Sequence, residues 1–274
     1  MTSTPTPAVA VSRVSGETEN WRLLLPQTMI QTQRLLVRWW RDPLTVIQSV
    51  VYPALLLIML NTILGRQISS FAGSSSLYGS VPMVALVGVM SGSVAGAVTL
   101  GRERDQGLLA RFWVLPVHRA SGLAARIVAE GVRILLCTLV IFAVGVALGF
   151  RFEQGAAAGF ALFGVPLLFG LAFATVVIAV AVFSAKAVLV EAVSLGSSLM
   201  MFFCTGFVPL IAYPAWARPI VEHQPMTYAI DAMRGLSLGG PVRAPLLATI
   251  AWSVAAIVVF AIPAVIGYRR ASRT

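Results

Sequence analysis

Apolar residues fall along this chain in six long blocks, divided by short polar stretches: 44–64, 81–100, 134–150, 157–183, 188–211 and 246–268. A helix needs about 20 apolar residues to cross a bilayer. Hydrocarbon offers no hydrogen bonds to peptide groups, so a crossing segment has to pair its own backbone, and these blocks are predicted to be helices. The third block is led in by amphipathic turns. Strand alternation of the outer-membrane kind is absent.

Ahead of the first block, WRLLLPQTMIQTQRLLVRWWRDP has a helical rather than a strand period. At about 100° per residue, Leu25, Met29, Leu36 and Trp40 share one side, while Gln27, Gln31, Arg34, Arg38 and Arg41 share the other. Such a helix lies flat in the membrane interface, its arginines toward headgroups or a protein partner. An anchor for the first span and a mechanical element are equally compatible with it.

Composition agrees with the pattern. Of 274 residues 58% are hydrophobic and only 11% charged, against about a quarter charged in soluble domains. The net charge of +10 would suit nucleic acid, but its carriers lie between apolar blocks and not along one soluble face, so none is expected as a partner. Six spans put both termini on one side. Arg66, Arg151, Arg218, Arg234 and Arg243 then fall on the far side and Arg133 inside the third span, leaving 14 of the 20 basic residues on the side of the termini. By the positive-inside rule, that side is the cytoplasm. Residues 1–20 lack an apolar core of the signal-peptide kind and read as a disordered tail.

Catalytic chemistry finds no footing. A P-loop needs GxxxxGK[ST], and the only lysine, Lys186, sits in FSAKAV. His118 and His223 fall on opposite sides, so they cannot share a metal, and Cys137 and Cys204 lie inside apolar blocks as small hydrophobes. The serines of VMSGSVAG lack a partner base. No catalytic residue, metal ligand or cofactor is expected in this chain.

What remains is architectural. Gly88, Gly92 and Gly96 repeat every four residues in the second span and form a flat stripe that lets another helix approach, within this subunit or from a second one. Arg126, Glu130 and Arg133 can pair along one side of the third helix near its inner end. Residues 212–244, containing AYPAWARPIVEHQPMTYAIDAMRGLSLGG, are too polar to span and too aromatic for a plain loop, and suggest short helices dipping into the outer leaflet. Between the second and third spans, GRERDQGLLARFWVLPVHR crowds charges ahead of a short apolar helix that Pro116 closes; headgroup binding and docking into a partner both suit it.

RERDQGLLARFWVLPVHR in that position, with the amphipathic helix and the six spans, resembles the permease subunits of type-2 ABC exporters. HQP, AMRG, GGPV, LGFRF and the terminal IGYRRAS are similar to its daunorubicin-resistance subfamily, the DrrB/DrrC-like subunits. The resemblance covers nearly the whole chain. It implies an all-α membrane protein: a tail over 1–20, a connecting helix over 21–42, and a six-helix permease domain over 43–274. A cytoplasmic coupling helix then lies between the second and third spans, and short re-entrant helices precede the sixth. It implies that Glu103, Arg104, Gly107, Leu108, Leu109, Phe112, Leu115 and Pro116 transmit force from a separate ATPase, against which Arg34, Arg38 and Arg41 also rest. The implied partners are two copies of a DrrA-like ATPase, carrying ATP and Mg²⁺, and a second permease chain, DrrB-like or a copy. Substrates of that subfamily are anthracycline-like drugs or complex lipids such as phthiocerol dimycocerosates. The expected activity is therefore ATP-driven export from the plasma membrane; the rival from another class is an ion-gradient-driven carrier.

Overall fold

A computed structural model describes residues 24–72, 75–105, 121–183 and 187–271. Helix α1 (Leu24–Arg41) is followed by a short α2 (Pro43–Val46), a π-helical turn (Ile47–Val51) and α3 (Tyr52–Ala72). Four long or middle-length helices come next: α4 (Leu77–Asp105), α5 (Ser121–Leu148), α6 (Gly155–Phe183) and α7 (Ala187–Phe202). A 3-10 turn (Leu210–Ala212), the short α8 (Arg218–His223), α9 (Pro225–Leu238) and α10 (Arg243–Ala271) complete the chain. Among the described residues there is no strand.

The π turn has a local cause. Pro53 has no N–H, so the carbonyl of Ser49 four residues earlier cannot be paired in α-helical register. The chain widens ahead of it, with the Tyr52 N–H donating to Ile47 O. The freed Ser49 carbonyl then faces α4 at Gly88, where a Cβ would stand 3.2 Å from it.

Helix α4 is the hub, packing against α3, α5, α6, α7 and α9. Leu77, Val81, Met83, Val84, Leu86 and Met90 on α4 are all buried. They join Ile141 and Phe142 of α5, Leu162 and Phe169 of α6, and Met226, Ile230 and Met233 of α9 in one apolar core. That core fills the half of the bundle nearer the α5–α6 turn. Toward the other end it gives way to two small clusters around Ala97 and Leu100. By contrast α10 covers α6 and α9 with one side and leaves Leu247, Trp252, Val258 and Ile262 exposed, as a helix facing lipid would.

Among the described residues, five segments are long and apolar enough to cross a membrane: Pro43–Ile63, Leu77–Glu103, Ser121–Leu148, Ala157–Val182 and Arg243–Gly267. The chain is a multi-pass membrane protein. In the expected span 188–211 the helix is shorter than the apolar block. Its helix stops at Phe202 after 16 residues, about 24 Å at 1.5 Å per residue, and residues 203–209 continue without helix. Gly206 and Pro209 disfavour continuation, and side chains elsewhere take up the carbonyls that the break exposes. Residues 212–244 form short helices as expected, and α9 is buried between α4, α6 and α10. The tail over 1–20, and Gly107, Leu108, Leu109, Phe112, Leu115 and Pro116 of the expected coupling helix, lie outside the described residues, as does Lys186.

Candidate functional site

Helix α1 presents three sides. Thr28 and Thr32 are buried, with Leu35 and Trp39 half-buried on the same side, against α5. Thr32 Oγ1 donates to Ala125 O at 3.4 Å and Gln31 Nε2 to Ser121 Oγ at 3.1 Å. Leu25, Met29, Ile30 and Trp40 stand exposed beside that contact, and Arg34, Arg38 and Arg41 follow on the third side. The helix is therefore docked along α5 with an apolar side free for lipid, an arrangement that suits an interface.

At its end the two glutamates of α4 and α5 organise the arginines. Glu103, with a side chain only 4% exposed, accepts Arg38 Nη1 from α1 at 2.5 Å and Arg126 Nη2 from α5 on its other oxygen. One carboxylate thus ties three helices at the point where α4 leads into residues 106–120. Arg126 was expected to pair along its own helix, but it reaches across to α4. Glu130 and Arg133 do pair within α5, and Ser93 Oγ of α4 donates to Glu130 Oε1 at 2.5 Å. Arg133 Nη2 also donates to Ser93 Oγ at 3.2 Å. In a bundle interior such charges are tolerated only when paired like this. Glu103 and Glu130 were read from the sequence; Ser93 was read only as a serine without a partner base, and its signal was a hydroxyl next to Gly92 and one turn before Gly96.

The glycine stripe divides by position. A Cβ on Gly88 would stand 3.2 Å from Pro53 Cγ, and one on Gly92 would overlap the Arg133 guanidinium while standing 3.1 Å from Ser49 Cβ. Both glycines pack inside this subunit. At Gly96 a Cβ would meet nothing within 4 Å among the described residues, and that glycine borders a cavity of about 120 Å³ between α1, α4, α5 and α6. The side chain of Arg104 lies outside the described residues.

A larger groove, about 650 Å³, runs along another face of α4, between it, the α2–α3 segment and α7, and shares Asp42, Thr45 and Thr99 with the smaller cavity. Its walls are mixed. Val87, Met90, Val94 and Met201 supply apolar surface, Ser194, Ser197 and Ser198 supply hydroxyls, and Asp42, Arg102 and Glu191 add charge. Asp42 caps α2: Thr45 Oγ1 donates to its carboxylate at 2.6 Å and the Thr45 N–H at 3.5 Å. The Thr45 hydroxyl holds the Asp42 carboxyl below its ordinary pKa, the nearby charge of Arg102 adding a smaller push in the same direction.

At the far end of the bundle the break after α7 is sealed by residues whose role the sequence did not disclose. Gln224 Nε2 donates to the carbonyls of Met200 and Phe203, and Tyr213 OH lies 3.1 and 2.9 Å from those of Phe202 and Cys204. Arg234 Nη2 donates to Thr205 O at 2.7 Å, and Thr205 Oγ1 donates to Asp231 at 2.8 Å. Gly79 and Gly206 meet so closely that a Cβ on Gly79 would stand 2.6 Å from the Gly206 carbonyl. The HQP and AMRG motifs were the available signal; only the fold shows which carbonyls they satisfy.

Residues 26–238 match the family described as ABC-2 type transporter. A Mycobacterium tuberculosis protein described as "Probable doxorubicin resistance ABC transporter permease protein DrrC" is 48% identical over 264 residues, 96% of each chain. A Streptomyces coeruleorubidus protein, "Daunorubicin resistance ABC transporter permease protein DrrB1", is 25% identical over 232 residues, 82% of this chain and 80% of its own.

Proposed function

This chain belongs to the ABC-2 type transporter family, and from that premise we propose that it is the permease subunit of an ATP-driven exporter. It moves a hydrophobic or amphipathic molecule outward, and a separate DrrA-like ATPase, present in two copies and carrying ATP and Mg²⁺, supplies the energy. A second permease chain, a copy or a DrrB-like relative, completes the pathway. The protein lies in the plasma membrane with both termini and residues 101–122 in the cytoplasm, where the positive-inside rule puts its arginines.

The observation that carries the reading is the three-way tie at Glu103. A push on residues 106–120 by a partner acts at the end of α4. Because Glu103 holds α1 and α5 through Arg38 and Arg126, the three helices move together. Residues 107–116, with Arg104, receive the push, and Arg34, Arg38 and Arg41 on α1 lie within the same contact area.

The groove beside α4 suits the cargo. Its volume, about 650 Å³, falls in the range of drug-sized sites, about 300–1,000 Å³. The hydroxyl and apolar walls accept an amphiphile with few charges, such as the drugs in the relatives' names. A complex lipid such as phthiocerol dimycocerosate would have to leave its chains in the bilayer.

The test is transport in inside-out vesicles holding this chain with and without a DrrA-like ATPase. ATP-dependent uptake of doxorubicin or a wax-type lipid only in the presence of both is the expected result. Uptake by this chain alone, driven by an ion gradient, overturns the proposal in favour of a secondary carrier.

A further inference from the structure

The groove between α4, the α2–α3 segment and α7 changes character along its length. From Val87 to Arg102 it follows α4 for about 22 Å, at 1.5 Å per residue. Helix α7 runs in the opposite sense: Val193 packs at the cluster around Ala97, whereas Gly206, past its end, meets Gly79. Met201 and Phe202 therefore share one end of the groove with Val87 and Met90, and Glu191 shares the other with Arg102 and Asp42.

The hydroxyls between those ends are oriented. Thr99 Oγ1 donates to Ala95 O at 3.1 Å, Ser197 Oγ to Ser194 O at 2.7 Å and Ser198 Oγ to the same carbonyl at 3.0 Å. A carbonyl has no proton to give, so each hydroxyl has used its own and keeps only lone pairs for a ligand. This stretch of wall accepts hydrogen bonds and does not offer them. A site of that kind holds a molecule bearing N–H or O–H groups and discriminates against one that lacks them.

Charge points the same way. Arg102 lies near enough to Asp42 to lower its pKa, and Thr45 caps the same carboxyl. Those two charges compensate each other. Glu191 is exposed, lines the groove and has no ion-pair partner among the described residues. The polar end of the groove thus carries one carboxylate beyond what its described arginine balances.

We propose that the groove selects a protonated amphiphilic amine, with its ammonium at Glu191, its other donors on the oxygens of Thr99, Ser197 and Ser198, and its apolar body between Met90 and Met201. This rests on the reading of the groove as the cargo site. It separates the two cargo classes named above, because a wax-type diester has ester and ether oxygens but no N–H or O–H, and would set lone pairs against lone pairs.

Doxorubicin, which carries a protonated amine on its sugar, and its uncharged N-acetyl derivative are the probes. Fluorescence anisotropy of each with the full chain in phosphatidylcholine nanodiscs, measured against empty nanodiscs, reads binding without an ATPase. Doxorubicin should bind about fivefold more tightly than the derivative, the upper end of what an exposed charge pair gives. Glu191→Gln should remove that preference and leave the affinity of the derivative as it was, which a misfolded chain would not do. Ser198→Trp, which narrows the groove, should weaken both. Equal affinity of the two probes for the wild type, a preference that survives Glu191→Gln, or binding unaltered by Ser198→Trp overturns the proposal. Failure of ATP-dependent transport while the preference holds counts against the exporter reading alone; transport of a wax-type lipid while both probes bind alike leaves the exporter standing and sinks the selectivity.

Discussion

The guanidinium of Arg133 lies directly over Gly92: a methyl group on that glycine would occupy the space of Nη1. A buried arginine on one helix and a missing side chain on the next are a single feature, and the pairing with Glu130 and Ser93 depends on it.

Gly92→Ala should therefore destabilise the protein far more than its small volume suggests. Displacing Arg133 leaves Glu130 without its partner in a bundle interior, at a cost of about 3–5 kcal/mol. Gly96→Ala, one turn along, should be neutral or gain roughly 0.5–1 kcal/mol from helix propensity. Melting of the two variants in the same detergent measures the contrast, and equal effects would contradict the packing described.

At Glu103 the two arginines are unequal partners. Glu103→Ala strands Arg126, whose side chain is 14% exposed, and should cost about 3–5 kcal/mol. Arg38→Ala removes a half-exposed partner and should cost under about 1 kcal/mol. A double-mutant cycle reads the coupling between them. If Glu103 also transmits force, Arg38→Ala lowers ATP-dependent transport while leaving the melting temperature nearly unchanged.

Gln224 holds the end of α7. Gln224→Leu keeps the bulk but removes both N–H donors from the carbonyls of Met200 and Phe203, for an expected loss of about 1–3 kcal/mol. Gln224→Glu should be no better, because a carboxylate cannot donate. Thermal melting of the pair checks this, with wild-type stability in either variant as the opposing result.

The cap at Asp42 gives a pH signature. Its carboxyl is held below the ordinary value by the Thr45 hydroxyl, so its contribution is complete above the unfolded-state pKa and fades as pH falls through the lowered folded value. Asp42→Ala should cost about 0.5–2 kcal/mol at neutral pH. Its deficit relative to wild type should shrink in acid, which paired melts from pH 7 to pH 3 would record.

Ser198 lines the groove and is itself exposed. Ser198→Trp should narrow the groove and cut transport about tenfold or more, with stability changed by no more than about 0.5 kcal/mol, as for other exposed positions. Transport at the wild-type rate would remove the groove from the pathway.

Much of this protein follows from local pattern. The apolar blocks required helices because lipid leaves a peptide group no other partner, and the period of residues 24–41 required a helix with arginines on one side. The charge of Glu103 and Glu130, and the stripe of glycines, were visible as types and spacings.

Partnership was not visible, because it depends on which helices lie side by side. Arg126 had Glu130 one turn away in its own helix, yet it pairs with Glu103 from α4. Gly88, Gly92 and Gly96 look alike in sequence, and only packing makes the first two a contact and the third the wall of a cavity. The block at 188–211 was apolar enough to continue as helix. Gly206 and Pro209 disfavour its continuation past Phe202, and the break holds because Gln224 and Tyr213 from the next segment take its carbonyls. Sequence by itself determined which segments must bury their backbone in helices, a matter of one segment and its solvent. The tertiary structure decided where charges, cavities and helix ends find their complements, since those free energies belong to pairs of segments that the chain order does not bring together.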